Sequence, residues 1–155
     1  MKAVIWKKFG SVDGLAYDDV PKPQPKANQV LVKIHATTVT AGDYEIRTQQ
    51  FPLWLLVPLR LYLGVFRPRN IILGQEFSGE IEGVGQNVSQ FKVGDSVIGT
   101  TGPGLGAHAE YITVSAESEE GVITLKPENI PYEEAAALPV GGLEALYFMR
   151  KANIQ

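Results

Sequence analysis

Cysteine is absent from this 155-residue chain, and histidine occurs only as His35 and His108. The first absence excludes disulfides and every thiolate metal site. It is compatible with a reducing compartment, and a cytoplasmic location is the expectation. The scarcity of histidine leaves a zinc site dependent on carboxylates, and Asp43 and Glu76 are too few to complete one. Each histidine stands in a strand pattern opposite apolar neighbours, so a surface or hydrogen-bonded imidazole is expected and no metal is. A basic patch interleaved with aromatics is also lacking: net charge is -3 with acids and bases scattered, so nucleic acid is not an expected partner. No apolar run reaches the length of a membrane span. The longest, FPLWLLVPLRLYLGVF over residues 51–66, is interrupted by Pro58 and Arg60. The opening MKAVIWKKFGSVDG has too short an apolar run for a secretory signal and no cleavage signature.

What the chain does contain is a composition 45% hydrophobic and 20% charged, enough to bury the core of an ordinary domain. Most of it reads as short strands separated by turn residues. KAVIW and GLAYDDV come first, followed by PKPQPKANQ, a proline-rich connection that cannot join a sheet interior. In VLVKIHATTV, Val30, Val32 and Ile34 face one way and Leu31, Lys33 and His35 the other. TAGDYEIRTQ starts like a helix, with Thr40 as cap and Asp43 in the first turn. In the next strand Phe77, Gly79, Ile81 and Gly83 lie on one face with Ser78, Glu80 and Glu82 opposite, a turn falls at Gly94-Asp95, and HAEYITV and GVITLKP continue the β rhythm. After Pro127 the pattern changes. Pro131, with Glu133 and Glu134 behind it, opens one helix, and PVGGLEALYFMRK forms another that carries Arg150 and Lys151 in its last turn. The expected architecture is mainly β, with a β-rich body over 1–130 and a helical segment over 131–155.

Two glycine stretches invite a phosphate-loop reading and fail it. A dinucleotide fingerprint needs G-x-G-x-x-G/A between a strand and a helix, so that amides at the helix start meet the pyrophosphate. Gly83-Val84-Gly85 begins the pattern, but Val88 falls where the third small residue belongs. GPGLGA, residues 102–107, matches the letters, yet HAEYITV after it alternates as a strand. A turn-rich loop is the expectation there.

Four ordered segments carry a resemblance: VLVKIHATTVTAGDYEIR, ILGQEFSGEIEGVGQNVSQFKVGDSVIG, GAHAEYITV and LKPENIPYEEAAALPVGGLEAL. Together they resemble the N-terminal GroES-like domain of medium-chain dehydrogenases and reductases, and within them the zinc-free quinone oxidoreductase branch. The resemblance implies a partly open β-barrel with two C-terminal helices, ahead of a Rossmann domain that would supply most contacts to NADPH. It implies a small-molecule substrate, a quinone, enone or alkenal. In zinc alcohol dehydrogenases the position of Gln75 is a His ligand followed by Glu, and the position of Thr40 is a Cys ligand; neither ligand is present here, so no zinc is expected. The hydroxyls of Thr40, Tyr44 and Tyr62 are the candidate donors to a developing enolate, although the family's tyrosine usually stands where Glu45 or Ile46 does here. Glu76 is the fourth candidate catalytic residue, which would position water or pair with Arg47 ahead of acting as an acid itself, while Asp43 and Arg47 would hold local structure. Leu138, Gly141, Gly142 and Glu144 would border the cofactor, with Glu144 standing where relatives often have Thr. Tight helix packing is an equally adequate reason for the two glycines. The chain alone is expected to show no turnover.

Residues 51–69 lie outside the resemblance. Three readings of this apolar insertion stay open: a helix packed on the domain or roofing a cleft, a contact in a homo-oligomer, or a membrane-surface element. With the insertion as an interface, a non-enzymatic GroES-like binding or assembly module is the alternative function.

Overall fold

The computed structural model describes residues 1–69, 71–117 and 122–153. Gly121, which heads the predicted strand GVITLKP, and residues 154 and 155 at the end of the predicted helical segment lie outside them.

Five strands form one antiparallel sheet in the order β6-β3-β4-β5-β7. They are β3 (Gln29–Thr37), β4 (Glu76–Val84), β5 (Ser96–Thr100), β6 (Tyr111–Ser115) and β7 (Val122–Leu125). The edge strands β6 and β7 approach each other without joining a ladder, which leaves a curled sheet as a partly open barrel. The mainly β, GroES-like architecture expected from sequence is therefore what the chain adopts. A separate hairpin of β1 (Lys2–Trp6) and β2 (Leu15–Asp19) leans on the barrel through bridges from Ala3 to Ala109 and Ile5 to Ile72. The helices are α1 (Ala41–Thr48), α2 (Leu53–Leu63), α3 (Tyr132–Ala135) and α4 (Pro139–Lys151).

The core follows the period-two pattern. Val30, Val32, Phe77, Ile81, Val97, Ala107, Ile112 and Val114 interlock inside the sheet. Burying a side chain such as Phe77 contributes roughly 1.5–3 kcal/mol. Phe77 sits opposite Gly99 in the β4–β5 register, and a Cβ on Gly99 would lie 2.6 Å from the tip of that ring, so the glycine makes room for the fully buried aromatic of this cluster. A second cluster of Trp6, Leu63, Leu73 and Leu105 joins the hairpin to α2 and the 73–105 loops.

Alternation alone is corrected at two places. Leu31 was expected opposite Val30 and Val32, yet all three are buried. The ladder with β4 shifts register between Leu31 and Val32, and the space over Gly83 is shared by Leu31 and Pro25 of the proline-rich connection. Ser78, expected on the outer face of β4, is fully buried because α3 covers it: its hydroxyl donates to Tyr132 O at 2.6 Å. GPGLGA is a 3-10 turn and loop ahead of β6, as its context predicted.

Candidate active site

The site starts from a helix cap. Thr40 has extended backbone and precedes α1; its Oγ1 accepts from Asp43 N at 3.2 Å, while Asp43 Oδ2 accepts from Thr40 N at 2.9 Å and from the Thr40 hydroxyl at 2.9 Å. This is a reciprocal capping box with Asp at the third helical position. Asp43 is only 2% exposed, and its other oxygen accepts from Gly74 N at 3.1 Å. One carboxylate thereby fastens the segment leading into β4 onto the start of α1.

Gly74 makes that approach feasible. Its φ is +98°, and a Cβ there would lie 2.6 Å from His108 Cδ2 and 2.7 Å from His108 N. With no side chain in the way, His108 N donates to Leu73 O at 2.9 Å, and His108 Nε2 lies 2.9 Å from Thr38 O. The next residue, Gln75, is delivered over the first turn of α1. A Cβ on Gly42 would meet Gln75 Oε1 at 3.0 Å and Thr40 Oγ1 at 3.5 Å. Thr40, Gly42 and Gln75 thus converge, which the sequence resemblance had paired only by position.

Glu76 is 3% exposed and fully engaged. Its Oε2 accepts from Thr38 Oγ1 at 2.6 Å and its Oε1 from Val140 N at 2.7 Å. The carboxylate sits at the first turn of α4, where unpaired amides and the helix dipole favour negative charge. The expected pairing of Glu76 with Arg47 does not occur. Arg47, in the last turn of α1, instead donates through Nη1 to Gly10 O, and Gly10 N returns a bond to Arg47 O at 2.8 Å. Asp43 and Arg47 therefore both hold local structure, as read from the sequence.

A cavity of about 600 Å³ opens between the β1–β2 hairpin, β3, α1 and residues 108–110. That volume suits a small molecule. Asp43, Tyr44 and Arg47 form its α1 wall, His35 and His108 reach it from elsewhere, and Leu15, Ile34, Val39 and Leu73 make it largely apolar. The Tyr44 hydroxyl accepts from Gln50 Nε2 at 3.2 Å. At the rim, Lys2 donates to Asp19 at 2.6 Å, and this bond holds the Asp19 carboxyl below its ordinary range and the Lys2 ammonium above. Of the four candidate catalytic residues, Tyr44 lines the cavity, and Thr40 is one hydrogen bond behind it through Asp43. Glu76 lies under α4 instead, and Tyr62 is exposed on α2; neither lines the cavity, and Gly42 and Gln75 lie outside its lining as well.

Leu138 and α4 form a separate face. From Gly141 to Lys151 every residue of the helix is exposed. A Cβ on Gly141 or Gly142 would meet no atom of the described residues within 4 Å, so tight packing among them does not account for the two glycines. A groove of about 220 Å³ runs between α4 and the β5–β7 pair, bordered by Leu138, Gly142 and Leu146 on one side and Ile98 and Val122 on the other. Sequence reasoning passed over this groove, which arises only because α4 crosses the strand pair. It also passed over the placement of the Gln75 side chain against the first turn of α1, although its place between Gly74 and Glu76 was the available signal. Among the described residues no three of His, Cys, Asp and Glu converge as a metal site. The groups that meet at α1 are the Thr40 hydroxyl, the Gln75 carboxamide and the Asp43 carboxylate already bonded to Thr40 and Gly74, which fall short of the three ligands a zinc site draws from imidazole, thiolate and carboxylate.

Residues 26–127 match the family described as the alcohol dehydrogenase GroES-like domain. The chain is 38% identical over 148 residues to the mitochondrial NAD(P)H oxidoreductase RTN4IP1 of Dictyostelium discoideum, covering 94% of this chain and 39% of that protein. Among solved structures, the quinone oxidoreductase of Coxiella burnetii superposes with a TM-score of 0.82 at 32% identity, over 100% of this chain and 46% of that one. The quinone oxidoreductase of Escherichia coli, solved in complex with NADPH, gives 0.77 at 25% identity over 98% of this chain and 41% of that one. The chain spans about two fifths of the length of the curated relatives it matches.

Proposed function

This chain belongs to the alcohol dehydrogenase GroES-like domain family, and from that premise we propose that it forms the substrate-binding half of a zinc-independent oxidoreductase that reduces quinones, enones or alkenals with NADPH. The observation that carries the reading is the convergence of Thr40, Gly42 and Gln75 at the start of α1. Reduction of an activated alkene gathers negative charge on the carbonyl oxygen, and preorganised donors aimed at that charge are the main catalytic resource. Gln75 is half-buried, and its amide nitrogen is the donor in this reading. Thr40 is a positioning residue, since its hydroxyl proton is directed at Asp43. Tyr44, on the cavity wall, is the alternative donor, to a carbonyl bound within the cavity. Glu76 fixes α4 and takes no proton from the substrate, and Tyr62 has no step assigned.

NADPH would supply the hydride. Leu138, Gly141, Gly142 and Glu144 would border its nicotinamide end, where the open space over the two glycines admits a close neighbour. We assign the phosphate-binding contacts to sequence beyond this chain, because the relatives it matches are more than twice as long and no strand–glycine loop–helix unit occurs among the described residues. The absence of cysteine suits a reducing cytoplasm.

The test is a pair of assays. The native polypeptide isolated from its source cells is expected to oxidise NADPH when given a quinone or enone, at a rate that a zinc chelator leaves unchanged. The 155-residue chain is expected to show no turnover. Turnover by this chain alone, or chelator-sensitive activity, overturns the reading.

A further inference from the structure

The insertion that the family resemblance leaves unexplained forms a helix with two apolar faces. Leu55, Leu56, Leu59 and Leu63 turn inward, and Leu59 and Leu63 pack with Trp6 and Leu73. Outward stand Leu53, Trp54, Val57, Pro58, Leu61 and Tyr62, and Val65 and Phe66 extend the row beyond the helix. Their spacing is that of one helical stripe. Trp54 is 77% exposed and Phe66 93%. The expectation that the insertion packs on the domain is met by the inner face only.

Charge distinguishes this patch from an ordinary apolar surface. In a chain of net charge -3, no acidic residue occurs between Glu45 and Glu76, and Arg47, Arg60, Arg67 and Arg69 all fall in that interval. Arg60 is turned onto the Phe9 ring at 4.0 Å and donates to Val65 O, so it braces the segment. Arg67 and Arg69 are exposed beside Phe66, and among the described residues neither enters an ion pair. At 11 residues, or about 16 Å, the helix is far too short to cross a bilayer but long enough to lie in its surface.

We propose that the outer face of α2 docks on an anionic lipid bilayer, with Trp54, Leu61 and Phe66 in the acyl boundary and Arg67 and Arg69 among the headgroups. Trp and Tyr partition to that boundary, and each basic residue near an anionic surface adds attraction. A second copy of the chain is the poorer occupant. A two-fold contact sets the same patch against itself, so it would bring the arginines together with no acid in the interval to offset them. The proposal goes beyond the enzymatic reading and does not depend on it, because binding is measured without cofactor or substrate.

The experiment is sedimentation of the native polypeptide, and of this chain, with vesicles of phosphatidylcholine alone or mixed two to one with phosphatidylglycerol. Trp54 emission is followed, which is separable because Trp6 is 1% exposed and already buried. Partition onto the mixed vesicles is expected with a blue shift of Trp54. Replacing Arg67 and Arg69 by Gln should weaken it roughly tenfold or more, as should moderate salt. Trp54→Ser with Phe66→Ser should abolish it, while Phe148→Ser on the exposed α4 should leave it unchanged. The proposal is overturned by failure to bind the mixed vesicles, by binding that the α2 variants leave intact, or by binding that Phe148→Ser removes. It is equally overturned if Trp54 shifts with protein concentration in the absence of lipid, which would assign the face to a second copy.

Discussion

Glu76 shows how one carboxylate can be read as a catalytic group and act as a joint. Both of its oxygens are occupied, by the Thr38 hydroxyl and the Val140 amide. Glu76→Ala would leave a buried amide without its charged acceptor and should lower stability by about 2–3 kcal/mol in urea unfolding. Glu76→Gln should retain most of that stability, since the amide oxygen can accept from Val140 while its NH2 donates to Thr38. In the native polypeptide the same variant separates the roles: a joint loses little activity, whereas a proton-transfer group would lose its rate together with its pH profile. Gln75 should behave in the opposite way. Gln75→Leu is expected to lower kcat about a hundredfold while leaving KM and stability close to wild type, as removal of an oxyanion donor does. A KM rise at constant kcat would assign Gln75 to ground-state binding instead. The sequence made Gln75 and Glu76 visible as a pair, through the resemblance. It could not show that Glu76 is turned to the N-terminus of α4, because that contact joins residues 64 apart in the chain.

At the scale of elements, α1 depends on its cap. Thr40 and Asp43 satisfy two of the amides that helix geometry leaves open, and Asp43 also holds Gly74. Thr40→Val should cost about 1–2 kcal/mol and Thr40→Ser only a few tenths, measured by thermal or urea unfolding. A loss for Thr40→Ser with Thr40→Val close to wild type would mean that the methyl group's packing, not the hydroxyl, matters. The start of α1, the acids of α3 and the basic end of α4 were all legible, because caps and dipole preferences are local chemistry. The β strands were legible by period two. Where alternation failed, at Leu31 and Ser78, the cause was a neighbour distant in sequence: a bulged ladder in one case and an overlying helix in the other. For α2 the run of apolar residues announced a helix but not its orientation, since with leucines on both faces it has no polar side to turn outward.

For the whole molecule, the unequal covering of the barrel is the informative feature. Phe77 and the strands around it are sealed, while α4 leaves Leu143, Leu146, Tyr147, Phe148 and Met149 each more than 40% exposed. A helix of this composition draws its stability from packing rather than propensity, and here it is tied down mainly at its first turn by Glu76 and the contact with β5. Its amides beyond Gly142 should therefore exchange with solvent far faster than those of β3 and β4 in this chain, by roughly a thousandfold or more if opening is local. In the native polypeptide, if sequence beyond these residues packs on that face, the same amides should slow to the rate of the barrel core. Gly141→Ala then distinguishes two reasons for the glycine. In this chain the substitution meets open space and should stabilise α4 by about 0.5–1 kcal/mol. In the native polypeptide it should weaken NADPH binding, because the added methyl group would fill the space assigned to the cofactor. A gain in stability in both forms, with NADPH affinity unchanged, would remove Gly141 from the cofactor face and leave α4 as a packing surface alone.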